Sequence, residues 1–235
     1  MRKLNSLIQS DTEMFGPGTD LIVSLVAVLM IMFAVQDIVN FKQVRQNQVK
    51  IMNEIASIYN TTPLSMPEKE DTYFIFTDPQ QKNRIAIQND ATLQRISFGS
   101  DILFDSGRAE LKDKGKEILK KFSSVFENGK KLGLIKEIQI QGHADSDPLY
   151  DYKGGNLGLA ADRAIAVFEQ FKSLNIDPEK YVMSITSFGE HMPVERQFED
   201  IGYSSNMLQK HNSTEMQKSL NRRIEIVLNY RKRFD

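Results

Sequence analysis

The run Leu21 to Val35, LIVSLVAVLMIMFAV, holds one polar residue, Ser24, and it limits what this chain can fold into more than any other stretch. Fifteen residues of helix rise about 22 Å, short of the roughly 30 Å of a bilayer's hydrocarbon core. A membrane span here must recruit its flanks, forward through Gln36, Asp37, Ile38 and Val39 and backward through Gly18, Thr19 and Asp20. Asp20 then falls inside the membrane boundary. A carboxylate at mid-depth costs about 2.5–3.5 kcal/mol on insertion scales, and less near an end, so its presence points to a partner or an ion path. The competing reading is a secretory signal peptide, which wants a positive leading region and a small-residue cleavage site. Here Arg2 and Lys3 are outnumbered by Asp11, Glu13 and Asp20, and no A-x-A site follows. The expectation is an uncleaved anchor over 16–40 behind a short leader, 1–15.

The 235 residues leave room for one further domain behind that anchor. A formal net charge of −1 gives no electrostatic reason to expect direct nucleic-acid binding. The absence of Cys excludes disulfides and thiol catalysis. His143, His191 and His211 show no metal-ligand spacing, and no nucleophile stands beside a base, so neither an enzyme nor a metal site is expected. His143 reads as a hydrogen-bonded loop residue, and the terminal Arg231, Lys232 and Arg233 as a solvated end.

After the span, Val44, Ile51, Ile55 and Ile58, with Met52 and Tyr59, recur at helical spacing. They predict a helical linker over 41–65 with one apolar stripe, either solvated or used for self-association or gating. Pro63 and Pro67 end it, placing a boundary near Met66. From 66 to 235 the pattern is α+β. YFIFTD and NRIAIQ, joined by PQQK, predict a hairpin, and short strands are expected at Ile96 to Phe98 and Ile102 to Phe104. A helix over Leu111 to Phe126 puts Leu111, Ile118, Phe122 and Val125 on one face. A strand at Ile138 to Gln141, a second helix from Asn156 to Leu174, and strands in YVMSITSFGE and NRRIEIVLNY complete a mixed sheet with helices packed on one side.

Candidate chemistry concentrates where the middle strand meets the second helix. Asp145 follows the strand, and Asn156, Leu159 and Arg163 sit at offsets of 0, 3 and 7, one helical stripe about 10 Å long. An acid facing a guanidinium can grip a ligand that carries both an ammonium and a carboxylate. The same two residues can equally form a surface ion bridge worth about 0–1 kcal/mol.

At these residues the sequence resembles a known family. ILFDSGRAELKDKGKEIL, IQGHADSDP, NLGLAADRA, SFGEHMPV and NRRIEIVL, in this order, are similar to the OmpA-like peptidoglycan-binding domain, over roughly Ile96 to Leu228. The resemblance implies that Asp145 and Arg163 hold the diaminopimelate of the peptidoglycan stem peptide, with Asn156 and Leu159 filling the rest of the N-x-x-L-x-x-x-R pattern. Glu195 to His211 departs from the family by lengthening the loop before the final motif. Such a domain behind one N-terminal helix opening on an Asp resembles the MotB group of ion-driven stator subunits. That likeness implies that Asp20 carries a transported H⁺ or Na⁺, with no other cofactor. It further implies a homodimer inside a ring, a pentamer, of a multi-span subunit of the MotA or ZorA kind. The chain would then be a single-pass protein of the bacterial inner membrane, N-terminus cytoplasmic and C-terminal domain periplasmic. Flagellar members carry an aromatic-rich sequence around the Asp and a longer basic tail. GPGTDLIVSLV behind a weakly charged leader is more similar to ZorB of the Zorya anti-phage system. A flagellar stator subunit and a passive envelope tether are the alternatives.

Overall fold

The computed structural model describes residues 17–66, 69–76, 84–131, 134–195 and 204–230. The chain divides into two compact units, Met1–Gln43 and Val44–Asp235. Helix α1, Pro17–Ile58, contributes to both. Among the described residues it is the one helix long and apolar enough to cross a membrane. In the first unit its side chains from Leu21 to Val35 are exposed, with Leu21 at 72% and Phe33 at 66%. That much bare apolar surface is not stable in water and calls for a lipid or protein cover. The expected leader, 1–15, lies outside the described residues.

The second unit is built on one seven-stranded sheet. Its strands are β1 Leu64–Met66, β2 Lys69–Phe76, β3 Arg84–Asn89, β4 Leu93–Gly99, β5 Ile135–His143, β6 Val182–Gly189 and β7 Arg223–Tyr230. Their order is β1-β2-β3-β4-β7-β5-β6. All neighbours pair antiparallel except β5 and β6, which are parallel and joined through helix α4, Gly155–Ser173. Because side chains alternate across a strand, the register aligns apolar rows on one face. Ile87 lies opposite Ile96, Ile96 opposite Ile226, and Ile226 opposite Ile140. Phe98 lies opposite Ile85 and Ile224.

Helix α3, Asp113–Lys131, and α4 cover that face. Phe122 packs edge-on against Phe98 and Phe126, each at 5.3 Å between ring centroids, and Phe126 meets Phe171 at the same separation. The α+β class and the mixed sheet agree with the expectation from sequence. Three details differ. Ile102 to Phe104, expected as a strand, forms a single helical turn, α2, Ser100–Leu103, and only Phe104 reaches a bridge, to Leu111. Ile102 and Leu103 are buried on consecutive sides of that turn, which a period-two reading cannot distinguish from a short strand. His143, expected in a loop, ends β5 and is buried. Finally, the stripe of the expected linker is neither solvated nor offered for self-association, since Val44, Ile51, Met52, Ile55 and Ala56 join the domain's own core. The PQQK connection of the predicted hairpin lies outside the described residues, as does the terminal run from Arg231.

A buried polar cluster fixes this part of α1. Gln48 donates from Nε2 to the carbonyls of Asp90 and Leu93, at 2.7 and 2.9 Å. Gln94 donates to the Gln48 carbonyl at 3.0 Å and to Asn89 Oδ1 at 2.8 Å, and receives the Tyr230 hydroxyl. Arg45 pairs with Asp71 at the edge.

Candidate functional site

The site forms where β5 ends and α4 begins. Gly142 permits this junction: a Cβ there would stand 2.0 Å from the Ala160 carbonyl oxygen, so only glycine lets α4 lie this close to the strand. The helix enters through Gly154 and Gly155, with φ of 79° and 57°, left-handed values that L side chains disfavour. Ala144 then donates to the Gly189 carbonyl at 2.8 Å, which holds the strand end to β6.

Asp145 is 7% exposed. Its Oδ1 accepts from the Asp147 amide at 3.1 Å, and its Oδ2 accepts from Arg222. Asn156 donates from Nδ2 to the carbonyls of Asp145 and Asp147, at 3.1 and 2.9 Å. Its place is to shape the loop. Asn212 accepts from the Ser146 amide at 3.2 Å, and Lys218 pairs with Asp147 at 2.6 Å. Leu159 is buried beneath, on the same helical stripe.

Arg163 does not pair with Asp145. It is 4% exposed, donates from Nε to the Arg108 carbonyl at 2.8 Å and from Nη2 to the Asp105 carbonyl at 3.2 Å, and lies over the Phe104 ring at 5.2 Å. These neutral partners orient the guanidinium without neutralising it, and its Nη1 has no partner among the described residues. Burial lowers its pKa to about 10, with Tyr152, Arg222 and Asp145 also acting on its charge, so it stays cationic at neutral pH. A fixed, desolvated and unneutralised guanidinium is a strong carboxylate receptor.

Arg222 was not singled out from sequence. It immediately precedes β7, and the register sets Arg223 opposite His143, so Arg222 arrives beside Asp145. Its other nitrogen donates to Glu215 at 2.8 Å, on helix α6, Glu215–Asn221, which is capped by Thr214 and Gln217. The signal lay in the NRR stretch, but its use requires knowing that the last strand pairs with β5.

Behind the site, His143 stacks on Phe188 and lies 3.8 Å from Glu225, which accepts from Arg223 at 2.6 Å. Burial, joined by the Arg223 charge, pushes His143 down to about 3 and keeps it neutral. Burial opposes ionisation of Glu225, but the charge and hydrogen bond of Arg223 overcome it and bring its pKa to about 2. This group props the strand ends and does not face the Asp145 loop. Among the described residues no cluster of three metal-ligating side chains occurs. Of the expected loop extension, 196–203 lie outside the described residues and Ser205–Lys210 form helix α5. Asp20 stands in the first turn of α1, exposed, in the other unit.

Over 94% of its length the chain is 25% identical to a protein of Bacillus subtilis (strain 168) named uncharacterized protein YtxE, 89% of which is covered. Its fold is similar to a putative MotB-like protein from Desulfovibrio vulgaris, with a TM-score of 0.59 at 18% identity, covering 83% of this chain and 99% of that one. It is also similar to the periplasmic domain of Helicobacter pylori MotB, residues 90–256, with a TM-score of 0.50 at 18% identity over 62% of this chain and 79% of that one. The family model described as OmpA family matches residues 103–222, a stretch holding Asp145, Asn156, Leu159, Arg163 and Arg222 and more than half of the chain. By that match, with the sheet and helices laid out as above, the chain belongs to the OmpA family.

Proposed function

We propose that this chain is the peptidoglycan-anchored subunit of an ion-driven membrane motor. The observation that carries the anchoring part is Arg163, a buried guanidinium aimed by two backbone carbonyls and in no direct ion pair among the described residues, close to a carboxylate already shaped by its loop. A diaminopimelate centre presents a carboxylate to Arg163 and Arg222 and an ammonium to Asp145. The chain is not an enzyme. Retention on purified sacculi tests this reading: Arg163→Ala, or Asp145→Ala, is expected to lower it at least tenfold, and unchanged retention in both would refute it.

Support for the motor part comes from Asp20 in the first turn of an exposed apolar helix, carried on the same chain as a wall-binding domain. A unit charge moved through 100 mV releases about 2.3 kcal/mol, enough to bias a conformational step. In this reading Asp20 carries H⁺ or Na⁺, the helix crosses the inner membrane once with the N-terminus inside, and a dimer of the chain works within a ring of multi-span MotA- or ZorA-like subunits. Grip on the wall keeps the assembly from turning freely. The sequence GPGTDLIVSLV, with no aromatic residue around Asp20, favours a ZorB-like role in anti-phage defence over a flagellar one. Deletion of the gene separates these: loss of phage resistance with normal swimming supports defence, and loss of swimming supports motility.

A further inference from the structure

The face of the sheet opposite the aromatic core carries a second concavity, remote in chemistry from the Asp145 loop. Its floor is a consequence of register. Ala86 faces Ser97 across β3 and β4, and Ser97 faces Glu225 across β4 and β7. One row further along, Gly99 is opposite Arg223. Ala86 and Ser97 are too small to fill the space above them, while Asp101 lies over Gly99. Phe74 and Arg84 rise on one side, and Met216 and Leu220 of α6, with Val194, on the other. The enclosed volume is about 470 Å³. Cavities of some 300–1,000 Å³ with apolar walls and a few placed polar groups are the usual form of small-molecule sites.

The charges within the groove are unequal in their use. Arg223 spends its donors on Glu225, the Asn221 carbonyl and the Met192 carbonyl. Ser97 also donates to Glu225, and Glu195 accepts from Gln217. Arg84 differs. Among the described residues its guanidinium meets only the Phe74 ring, at 5.0 Å, and burial lowers its pKa without any countercharge contributing. A cation held partly out of water with no anion beside it is an electrostatic debt that a bound anion would discharge. Of the three carboxylates on the lining, Glu225 and Glu195 already accept from Arg223 and Gln217, and Asp101 lies over Gly99. Met66 and Met216 supply flexible apolar walls that adapt to an alkyl body.

We propose that this groove binds an amphipathic organic anion, with its carboxylate or phosphate on Arg84 and its apolar body over Ala86 and Ser97. Three strand spacings, about 14 Å, separate β2 from β7, which suits a medium-length alkyl chain. The site uses side chains other than those of the Asp145 loop and Asp20.

The test is photolabelling of the full-length chain in phosphatidylcholine nanodiscs with a diazirine-bearing dodecanoate, followed by mapping of the labelled peptides. Label is expected on the peptides holding Ala86, Ser97 and Met216 to Leu220. It should fall at least fivefold in Arg84→Gln, and again in Ala86→Leu, which fills the floor. A diazirine-bearing alcohol of equal length should label these peptides at least fivefold less. Competition by added dodecanoate identifies a free amphiphile as the source, and competition by phosphatidylglycerol in the disc identifies a lipid headgroup; either supports the shared chemistry. Label confined to Leu21–Val35, or label in the groove that is equal for acid and alcohol and insensitive to Arg84→Gln, overturns the proposal. If Ala86→Leu does not fold, Arg84→Gln decides alone, because it alters only a side chain at the groove wall.

Discussion

At the scale of single residues, the site reads as a division of labour. Asn156 and Arg222 hold the Asp145 loop, while Arg163 is held by backbone and keeps its charge free. Arg222→Ala is therefore expected to lower sacculus retention by about tenfold, the equivalent of about 1.4 kcal/mol, and to lower stability by about 1–3 kcal/mol as the nearly buried Asp145 loses its cation, measured by pull-down and by urea unfolding. His143 and Glu225 give a second prediction. Both have folded pKa values below their ordinary ones, so the unfolded chain takes up protons that the folded chain refuses. Stability is then full above about pH 6.5 and falls as the pH drops, first through His143 and below about 4.5 through Glu225 as well. Between pH 7 and 5 the loss from His143 is on the order of 2 kcal/mol. Urea unfolding at pH 7, 6 and 5 should show that slope in the wild type and a flatter one in His143→Gln. Equal slopes would remove His143 as the cause. The helical stripe singled out Asn156, Leu159 and Arg163 and left an ion bridge to Asp145 equally open; their grouping as a binding site came from the resemblance to the OmpA-like domain, and the structure gathers Asp145 and Asn156 at one loop while setting Arg163 on the Asp105 and Arg108 carbonyls. Arg222 was not, because its neighbour in space lies 77 positions away in the chain.

At the scale of elements, close approach and burial decide more than periodicity does. The stripe Val44, Ile51 and Ile55 was legible as a helix face, but a stripe of this kind does not name its partner, and the partner is the chain's own sheet and α3. Tyr59, donating to the Ile118 carbonyl at 3.1 Å, ties the same segment to α3. Ile55→Ala should cost about 2–5 kcal/mol, as for other fully buried aliphatic truncations, and single cysteines at Ile51 or Ile55 should cross-link poorly between copies. Efficient cross-linking there would mean that this segment leaves the core in the assembled protein. Gly142→Ala is expected to destabilise by about 3 kcal/mol or more, because the added carbon meets helix backbone that has no rotamer to yield. The short turn Ser100–Leu103 escaped the sequence reading for the opposite reason. Four residues are too few for a period to be told from its alternatives.

At the scale of the whole molecule, the sequence displays its organisation plainly: one exposed apolar helix, then an OmpA-family domain whose Asp145 loop is assembled from β5, α4 and the start of β7. What strand patterns do not convey is sheet order. Placing β7 between β4 and β5 brings NRR to the Asp145 loop and creates, on the reverse face, the groove beside Arg84. In the proposed motor, Asp20 couples ion movement to work while the domain holds the wall. The direct measurement is H⁺ and Na⁺ flux through the complex of this chain with its multi-span partner, reconstituted in liposomes under an imposed potential. Asp20→Asn is expected to leave complex assembly and sacculus retention unchanged and to abolish the flux. Flux at the wild-type level in that variant would contradict the motor and leave a tether to the wall.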